Sequence, residues 1–370
     1  MEMLLTGLLY TFWFLIILTI VVFIHEFGHF IIARLNGVQI DVFSIGFGKE
    51  LFGFTDKRGT RWKISAIPMG GYVKMFGDQD AASSQDSKSL EVLSFKEKQL
   101  TFHFKKLWQK AAIVVAGPAA NYLSAILIIA ALSFTYGISV TEPIIGEVLK
   151  ASPAAKAGLK VGDEILEVDG STVESFEDVR QIIALSTSEP IELLILREHE
   201  EIEVEIIPEL RKMKDAYGND IEMPVIGISS HNVYHKEQSF FGALATGVEQ
   251  SYTMSLGMLK ALGQIIVGDR GLDQLGGPIK IAQYSGQSAK HGVVSVLWFI
   301  AVISINLGLL NLMPLPMLDG GHLFYYMVEA VTGKPVSEKF QLVAMKASLF
   351  FLISLMLFVT INDIRSLFGA

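Results

Sequence analysis

The chain of 370 residues contains no cysteine, which excludes disulfide bonds, thiolate metal ligands and cysteine nucleophiles. Charged residues are also scarce, at 18% of the chain against 51% hydrophobic residues. This composition is too apolar for an ordinary soluble protein, and it predicts an integral membrane protein with some soluble mass. Any metal site in it must use imidazole and carboxylate ligands.

Clusters of basic residues are missing as well. The formal net charge is -8, and no dense group of Lys and Arg is present to bind phosphates, which excludes a nucleic-acid partner. No basic segment precedes the first apolar run, and no small-residue cleavage site follows it. We therefore expect this run to be retained as a membrane helix rather than removed as a secretory signal.

Four apolar runs are long enough to cross a bilayer, whose hydrocarbon core of about 30 Å requires about 20 helical residues. They cover residues 8–33, 111–136, 292–313 and 345–361. A fifth apolar stretch, 239–268, is interrupted by polar residues such as Glu249 and Lys260. That pattern favours an amphipathic helix at the membrane interface over a fifth span.

The distribution of charge predicts how the chain is oriented. Residues 49–110 hold twelve Lys and Arg against seven acids, whereas residues 141–290 hold thirteen against twenty-four. Because an excess of Lys and Arg marks the cytoplasmic side, we expect 49–110 to be cytoplasmic. Both chain ends and 141–290 then lie outside, which in the inner membrane of a Gram-negative bacterium means the periplasm.

The first apolar run contains three polar groups that are costly in hydrocarbon unless they are paired or bind an ion. They are His25, Glu26 and His29. On an α-helix, residues four apart lie on one face, so the two imidazoles can bind one cation. In the motif H-E-x-x-H they bind zinc, while the glutamate takes a proton from the attacking water. The alternative is two interfacial histidines and a helix-terminal glutamate.

A second polar group follows the third apolar run. Pro314 and Pro316 are expected to break the helix and expose backbone groups near the bilayer. Asp319 is the predicted third zinc ligand, because catalytic zinc generally has three protein ligands. His322 is the competing candidate. Asn311 is expected either to hold a substrate carbonyl or oxyanion, or only to cap the freed backbone.

Glycine-rich segments between the first two spans predict β-structure. Residues 43–48 and 61–75 are predicted strands joined by a turn at 56–59. Such a hairpin at membrane depth must be buried or line a wet cavity. Its edge can accept an extended substrate, although a hairpin that merely covers the site is equally compatible with the sequence. The expected substrate-binding residues on it are Gly70, Gly71 and Tyr72.

Two segments near the start of the second span, one before it and one within it, differ in composition. Residues 77–99 are polar and without periodicity, which is typical of a flexible linker. In the second span itself, Gly117-Pro118-Ala119-Ala120-Asn121 combines small residues with one amide. Small residues favour close packing against the first span, and we prefer that interpretation over a catalytic role for Asn121.

Residues 142–208 have the pattern of a small soluble β-rich domain. Within it, residues 158–165 follow Gly-Leu-x-x-Gly-Asp-x-Ile, which resembles the PDZ domain in its bacterial, permuted form. PDZ domains bind a peptide strand in a groove between a strand and a helix. The groove residues expected here are Ile144, Gly146 and Val148. A domain that acts only as a steric plug is the alternative.

Taken together, these motifs resemble the site-2 protease family, with the bacterial regulator-of-sigma-E proteases as the most similar group. The resemblance implies Zn²⁺ as cofactor, bound by His25, His29 and Asp319, with Glu26 as general base. It implies that Asn311 lies near the substrate backbone, as do the prolines of the same motif. The implied substrates are single-span proteins in the lipid bilayer, such as anti-sigma factors already cut outside the membrane. One departure is that the sequence has room for one PDZ domain instead of two.

The sequence therefore predicts a polytopic α-helical membrane protein with four transmembrane helices, a membrane-associated β-hairpin and one inserted periplasmic PDZ domain. Its rivals are a metal transporter or sensor and a PDZ scaffold with an inactive site. The predicted segments are 1–36 (first transmembrane helix), 37–110 (hairpin and linker), 111–137 (second transmembrane helix), 142–208 (PDZ domain), 209–291 (linker and interfacial helix) and 292–370 (third and fourth transmembrane helices).

Overall fold

The computed structural model describes residues 2–78, 93–186, 189–214, 220–268, 271 and 276–367. The predicted linker 77–99 lies largely outside these ranges. The chain divides into two units, Met1–Ile129 with Leu275–Ala370, and Ala130–Gln274. The helices are α1 (Glu2–Leu35), α2 (Phe95–Leu100), α3 (Leu107–Tyr136), α4 (Pro153–Lys156), α5 (Phe176–Ala184), α6 (Phe240–Val267), α7 (Pro278–Lys290), α8 (Val293–Asn311), α9 (Asp319–Thr332) and α10 (Glu338–Leu367).

Among the described residues, four helices are long and apolar enough to cross a membrane. They contain Leu5–Leu35, Leu107–Tyr136, Val293–Asn311 and Glu338–Arg365, and they agree with the four predicted spans. Helix α6 is not among them. Helix α8 ends earlier than the predicted residue 313, because Pro314 disfavours helical geometry in the residue before it.

The first unit is held together partly by a carboxylate from its last helix. Asp363 of α10 is fully buried. It accepts hydrogen bonds from the backbone amides of Gly277, Ile279 and Lys280 at 3.0 to 3.1 Å. Because the first amides of a helix have no partner within it, this carboxylate satisfies the start of α7.

The predicted hairpin is a more elaborate sheet. Its strands are β1 (Ile40–Thr55) and β2 (Arg61–Met75), and both bend back on themselves. Segment 42–45 pairs with 61–64 on one side and with 71–74 on the other, while 52–55 pairs with the far side of 61–64. The bend in β1 requires Gly46, which has φ +85 and would place a Cβ 2.5 Å from the carbonyl oxygen of Ile67. The predicted turn at 56–59 does join two antiparallel segments, 52–55 and 61–64, and the pairings of 42–45 extend this hairpin.

This sheet packs on the site-bearing end of α1. Phe30 of α1, Phe43 of β1 and Val73 of β2 are buried in one apolar cluster with Ile113 of α3. The Phe30 and Phe43 rings meet edge to face at 5.4 Å. The sheet is therefore part of the core around α1 rather than a loose cover.

The second unit contains a four-stranded sheet in the order β6-β5-β7-β8, with α5 packed on its core. Its strands are β3 (Ile138–Thr141), β4 (Glu147–Val148), β5 (Glu164–Val168), β6 (Ser171–Thr172), β7 (Ile191–Arg197), β8 (Glu200–Ile206), β9 (Glu209–Lys214), β10 (Asp220–Val225), β11 (Ile228–Ser229) and β12 (Val233–Lys236).

The predicted boundary of this domain at residue 208 is too early. Strand β11 pairs with β4, and Ile226 is buried in the same apolar core as Ile145 and Ile165. The β9–β10 hairpin lies in the chain between β8 and β11. The domain therefore runs to residue 229, because β4 pairs with a strand that follows the hairpin.

The predicted peptide groove also needs a correction, because its residues already have strand neighbours within the domain. Ile144 bridges to Glu164, the Gly146 amide donates to the Ser229 carbonyl at 2.8 Å, and Val148 pairs with Ile228. These residues are thus part of the domain's own sheet. A peptide strand that paired along the same edge would have to displace those neighbours.

Candidate active site

Three side chains from two helices converge on one point in the first unit. His25 and His29 project from α1, and Asp319 is the first residue of α9. The Nε2 atoms of the imidazoles are 3.1 Å apart, and they lie 3.2 and 3.5 Å from Oδ2 of Asp319. Three ligands of a tetrahedral zinc ion, each about 2.0 to 2.1 Å from it, are about 3.3 Å apart. The donor set and its spacing therefore fit zinc.

The outer nitrogens of both imidazoles have partners on α3. Nδ1 of His29 lies 2.8 Å from the Ile113 carbonyl oxygen, which can only accept, so this nitrogen carries the proton and Nε2 is free to bind a metal. Such outer hydrogen bonds fix the orientation of metal-binding histidines.

Asn121 is the partner of the other imidazole. Its Nδ2 lies 3.2 Å from Nδ1 of His25, while its Oδ1 is buried with no hydrogen-bond partner among the described residues. If the amide is turned over, Oδ1 of Asn121 accepts the proton on Nδ1 of His25. Packing was the preferred explanation of Asn121 from sequence, and the structure adds a contact with a predicted ligand.

Gly117 makes room for both rings. A Cβ atom on this residue would lie 2.3 Å from Nε2 of His29 and 2.8 Å from Cε1 of His25. No real side chain tolerates these distances, and the rings would have to move. The small residues of the second span thus serve the site directly as well as the packing of two helices.

Glu26 lies beside the three donors without joining them. The group of described residues able to hold a metal consists of His25, His29 and Asp319. Glu26 packs against the sheet, where a Cβ on Gly71 would lie 3.3 Å from its Cγ. Its carboxylate is therefore available for proton transfer rather than metal binding.

A cavity of about 770 Å³ joins these groups. The predicted residues Gly71, Tyr72, Asn311, Pro316 and His322 line it together with Glu26 and the three donors. Gly70 and Pro314 are not among its lining residues. Gly70 instead packs on Phe47, whose ring would lie 2.8 Å from an added Cβ.

The cavity is also lined by residues that the sequence did not single out. They include Tyr325 and Tyr326, which follow Asp319 and His322 on one face of α9. The three- and four-residue spacing along α9 is a helical signal that identifies this face once Asp319 is recognised. His103 and Lys110 line the cavity too, but no local pattern connects them with the site.

Comparisons with known proteins agree over almost the whole chain. Residues 13–355 match the family model described as peptidase family M50. A protein of Agrobacterium fabrum, provisionally named a zinc metalloprotease, is 46% identical over 360 residues and covers 96% of each chain. A similarly named protein of Rhizobium meliloti is 45% identical over 374 residues and covers 100% of each. A solved PDZ domain from Listeria innocua covers 25% of this chain at 24% identity, with a TM-score of 0.21.

Proposed function

We propose that this chain, which belongs to peptidase family M50 and is a membrane zinc metalloprotease, hydrolyses transmembrane segments of single-span proteins within the bilayer. One observation carries this proposal. Two imidazoles from a spanning helix meet a carboxylate from a second helix in a shared cavity, and a further carboxylate stands beside them. This arrangement has the ligands and the base of a hydrolytic zinc site.

In this proposal His25, His29 and Asp319 hold zinc and Glu26 is the general base. Zinc, when bound, polarises the scissile carbonyl and makes water more acidic. Glu26 takes the proton from the attacking water and passes it to the leaving amine. Asn121 and the Ile113 carbonyl hold the imidazoles in orientation. Asn311, on the cavity wall, donates its amide to the substrate carbonyl; its other possible role is to cap the broken helix.

The substrate-receiving element is the sheet edge at residues 71–75. This segment pairs with 42–45 along one side, and Gly71, Tyr72, Val73 and Met75 line the cavity. A helical substrate hides its carbonyls in internal hydrogen bonds, so it must unwind before cleavage. Pairing with an open sheet edge would hold the unwound segment extended and expose its scissile bond beside Glu26.

The proposal includes an orientation in the inner membrane of a bacterium. The basic region 49–110 lies in the cytoplasm, and the PDZ-like domain at 142–229 lies outside, where it screens or captures substrates already trimmed by another protease. Because the chain has no cysteine, single cysteines at Lys57 and Val161 can be labelled without background. A membrane-impermeant maleimide added to intact spheroplasts should label position 161 only; labelling of position 57 alone would reverse the orientation.

Glu26→Gln tests the enzyme directly. We expect the variant to lose cleavage of a single-span reporter in proteoliposomes while it retains zinc at the level of the wild type. Glu249→Gln, which removes an exposed carboxylate from α6, serves as the control. A metal transporter would move zinc regardless of Glu26, and an inactive scaffold would capture the reporter without cutting it even in the wild type.

A further inference from the structure

A cluster of polar contacts joins the end of α1 to the turn between β1 and β2. Arg34, in the last turn of α1, forms an ion pair with Oδ2 of Asp56 through Nη2, and the same nitrogen donates to Oγ1 of Thr60 at 2.9 Å. The guanidinium carbon also lies 4.4 Å from the centre of the Phe30 ring. One side chain therefore contacts both its own helix and the turn.

Asp56 accepts hydrogen bonds from its own turn and from Trp62 as well as from Arg34. Its Oδ1 accepts the backbone amides of Arg58 and Thr60 at 2.9 and 3.1 Å. Its Oδ2 accepts Nε1 of Trp62 at 3.1 Å as well as the arginine. Burial alone would raise the pKa of Asp56, but the hydrogen bonds from Arg34 and the others lower it to about 2, so the carboxylate is charged at neutral pH.

Thr60 extends the contact into the sheet. It is almost completely buried, and its hydroxyl donates to the Ile40 carbonyl at 2.7 Å, where β1 begins. Trp62 lies two residues further on, with its ring centre 4.5 Å from that of Phe43, and it meets the Phe30 ring edge to face at 4.8 Å. The turn is thus fixed both to α1 and to the first residues of the sheet.

Strand pairing connects the anchored turn with the residues beside the site. Segment 61–64 follows the turn, segment 42–45 lies next to it, and 71–74 is paired with 42–45. The last of these contains Gly71, which packs against Glu26 and Val22 of α1. The sheet is therefore attached to α1 by apolar contacts from Glu26 to Phe30 and, beyond them, by the ion pair of Arg34.

We propose that the Arg34–Asp56 ion pair is a positioning element, which sets the distance and angle between the sheet edge 71–75 and the metal-binding helix. This inference rests on the proposed function, because it assigns to the ion pair the placement of an extended substrate relative to Glu26. Neither residue lines the cavity, so both act through the sheet. A small displacement of a reacting bond lowers the rate strongly, which gives a distant anchor a measurable effect.

The test compares two ion pairs of the same sheet. Arg34→Met and Asp56→Asn break the contact between sheet and helix, whereas Arg61→Met and Glu50→Gln break a more exposed pair that joins strands to each other. We expect the first two variants to lose about 10- to 100-fold in kcat/KM for the single-span reporter, mainly in kcat, with zinc content unchanged. The second two should stay within about twofold of the wild type. Arg34→Lys, which keeps the charge, should recover part of the loss.

Hydrogen exchange supplies a readout that does not depend on catalysis. Amides in 61–75 should exchange faster in Arg34→Met than in Arg61→Met, while the peptides of α1 stay protected. Unchanged kcat/KM in both anchor variants would overturn the proposal. So would a loss that coincides with loss of zinc, because the ion pair would then only stabilise the helix. A wild type that does not cut the reporter would refute the proposed function, and the exchange result would still decide whether the ion pair fixes the sheet.

Discussion

Gly28 lies so close to α3 that a Cβ atom on it would stand 2.2 Å from the carbonyl oxygen of Ala116. A backbone oxygen cannot yield as a flexible side chain can, so the two helices would have to separate. Gly28→Ala should cost about 1 to 3 kcal/mol of stability and should lower zinc content, since His25 and His29 flank this contact. Thermal unfolding in detergent and metal analysis measure both effects.

Gly7 provides the matched control on the same helix. Among the described residues, no atom lies within 4 Å of a Cβ added to Gly7, and alanine is the better helix former. Gly7→Ala should therefore unfold at or above the temperature of the wild type and retain its zinc. Equal effects of the two substitutions would show that the close approach at Gly28 is unimportant.

Asn121→Ala should weaken zinc binding about 10- to 100-fold, because Nδ1 of His25 would lose the group that orients its ring. A chelator competition on the purified protein measures this affinity without reference to activity. Ser124→Ala is the control, since Ser124 lies on the same helix and its hydroxyl donates to the Asn121 backbone carbonyl at 2.8 Å. Full-strength zinc binding in Asn121→Ala would argue that the amide merely fills space.

Asp319 and His322 were alternatives from sequence, and the structure gives them different surroundings. Asp319 is within 3.5 Å of both imidazoles, while His322 lines the cavity and packs edge to face on Tyr325. Asp319→Ala should lose most of its zinc, and His322→Ala should keep it. Retention of zinc by Asp319→Ala together with its loss from His322→Ala would exchange the two roles.

The second unit should lose stability in acid through one ion pair. Burial alone would raise the pKa of Asp163, but hydrogen bonds from Arg197 at 2.6 and 2.7 Å and from the Lys160 amide hold that pKa below its ordinary value. A carboxyl with a lowered pKa stabilises the fold above its unfolded pKa of about 4. This contribution disappears as the pH falls through the folded pKa.

Asp163→Asn should therefore be less stable than the wild type at pH 7, and the difference should shrink as the pH falls below about 4. The urea concentration at which peptides of 191–206 lose hydrogen-exchange protection measures this in the whole chain. Glu201→Gln changes an exposed carboxylate of the same sheet and should have little effect. A stability difference that is constant from pH 7 to pH 3 would contradict the assignment.

The sequence predicts well those features that depend on a short stretch of chain. The pairing of His25 with His29 follows from helix geometry alone, and the four apolar runs follow from length and composition. Asp319 is also within reach, because an acid after two prolines has few other uses near a membrane. Each of these inferences needs only a short stretch of chain.

The sequence predicts poorly those features that depend on contacts between residues far apart in the chain. Residues 43–48 are predicted as one strand of a hairpin, yet segment 42–45 has neighbours on both sides because Gly46 lets β1 turn back. The contact of Asn121 with His25 depends on how α1 and α3 approach each other, and Ile226 enters the core of a domain that the local pattern ends at 208. No periodicity within a short window carries such information.

The return of β11 has a practical consequence for work on the soluble part of the molecule. A fragment that stopped at residue 208 would lack Ile226 and leave β4 without its neighbour. Its bare strand edge and uncovered apolar surface would invite aggregation between copies. A fragment that continues to residue 229 keeps that edge paired, so soluble yield from the two lengths should differ for a reason unrelated to peptide recognition.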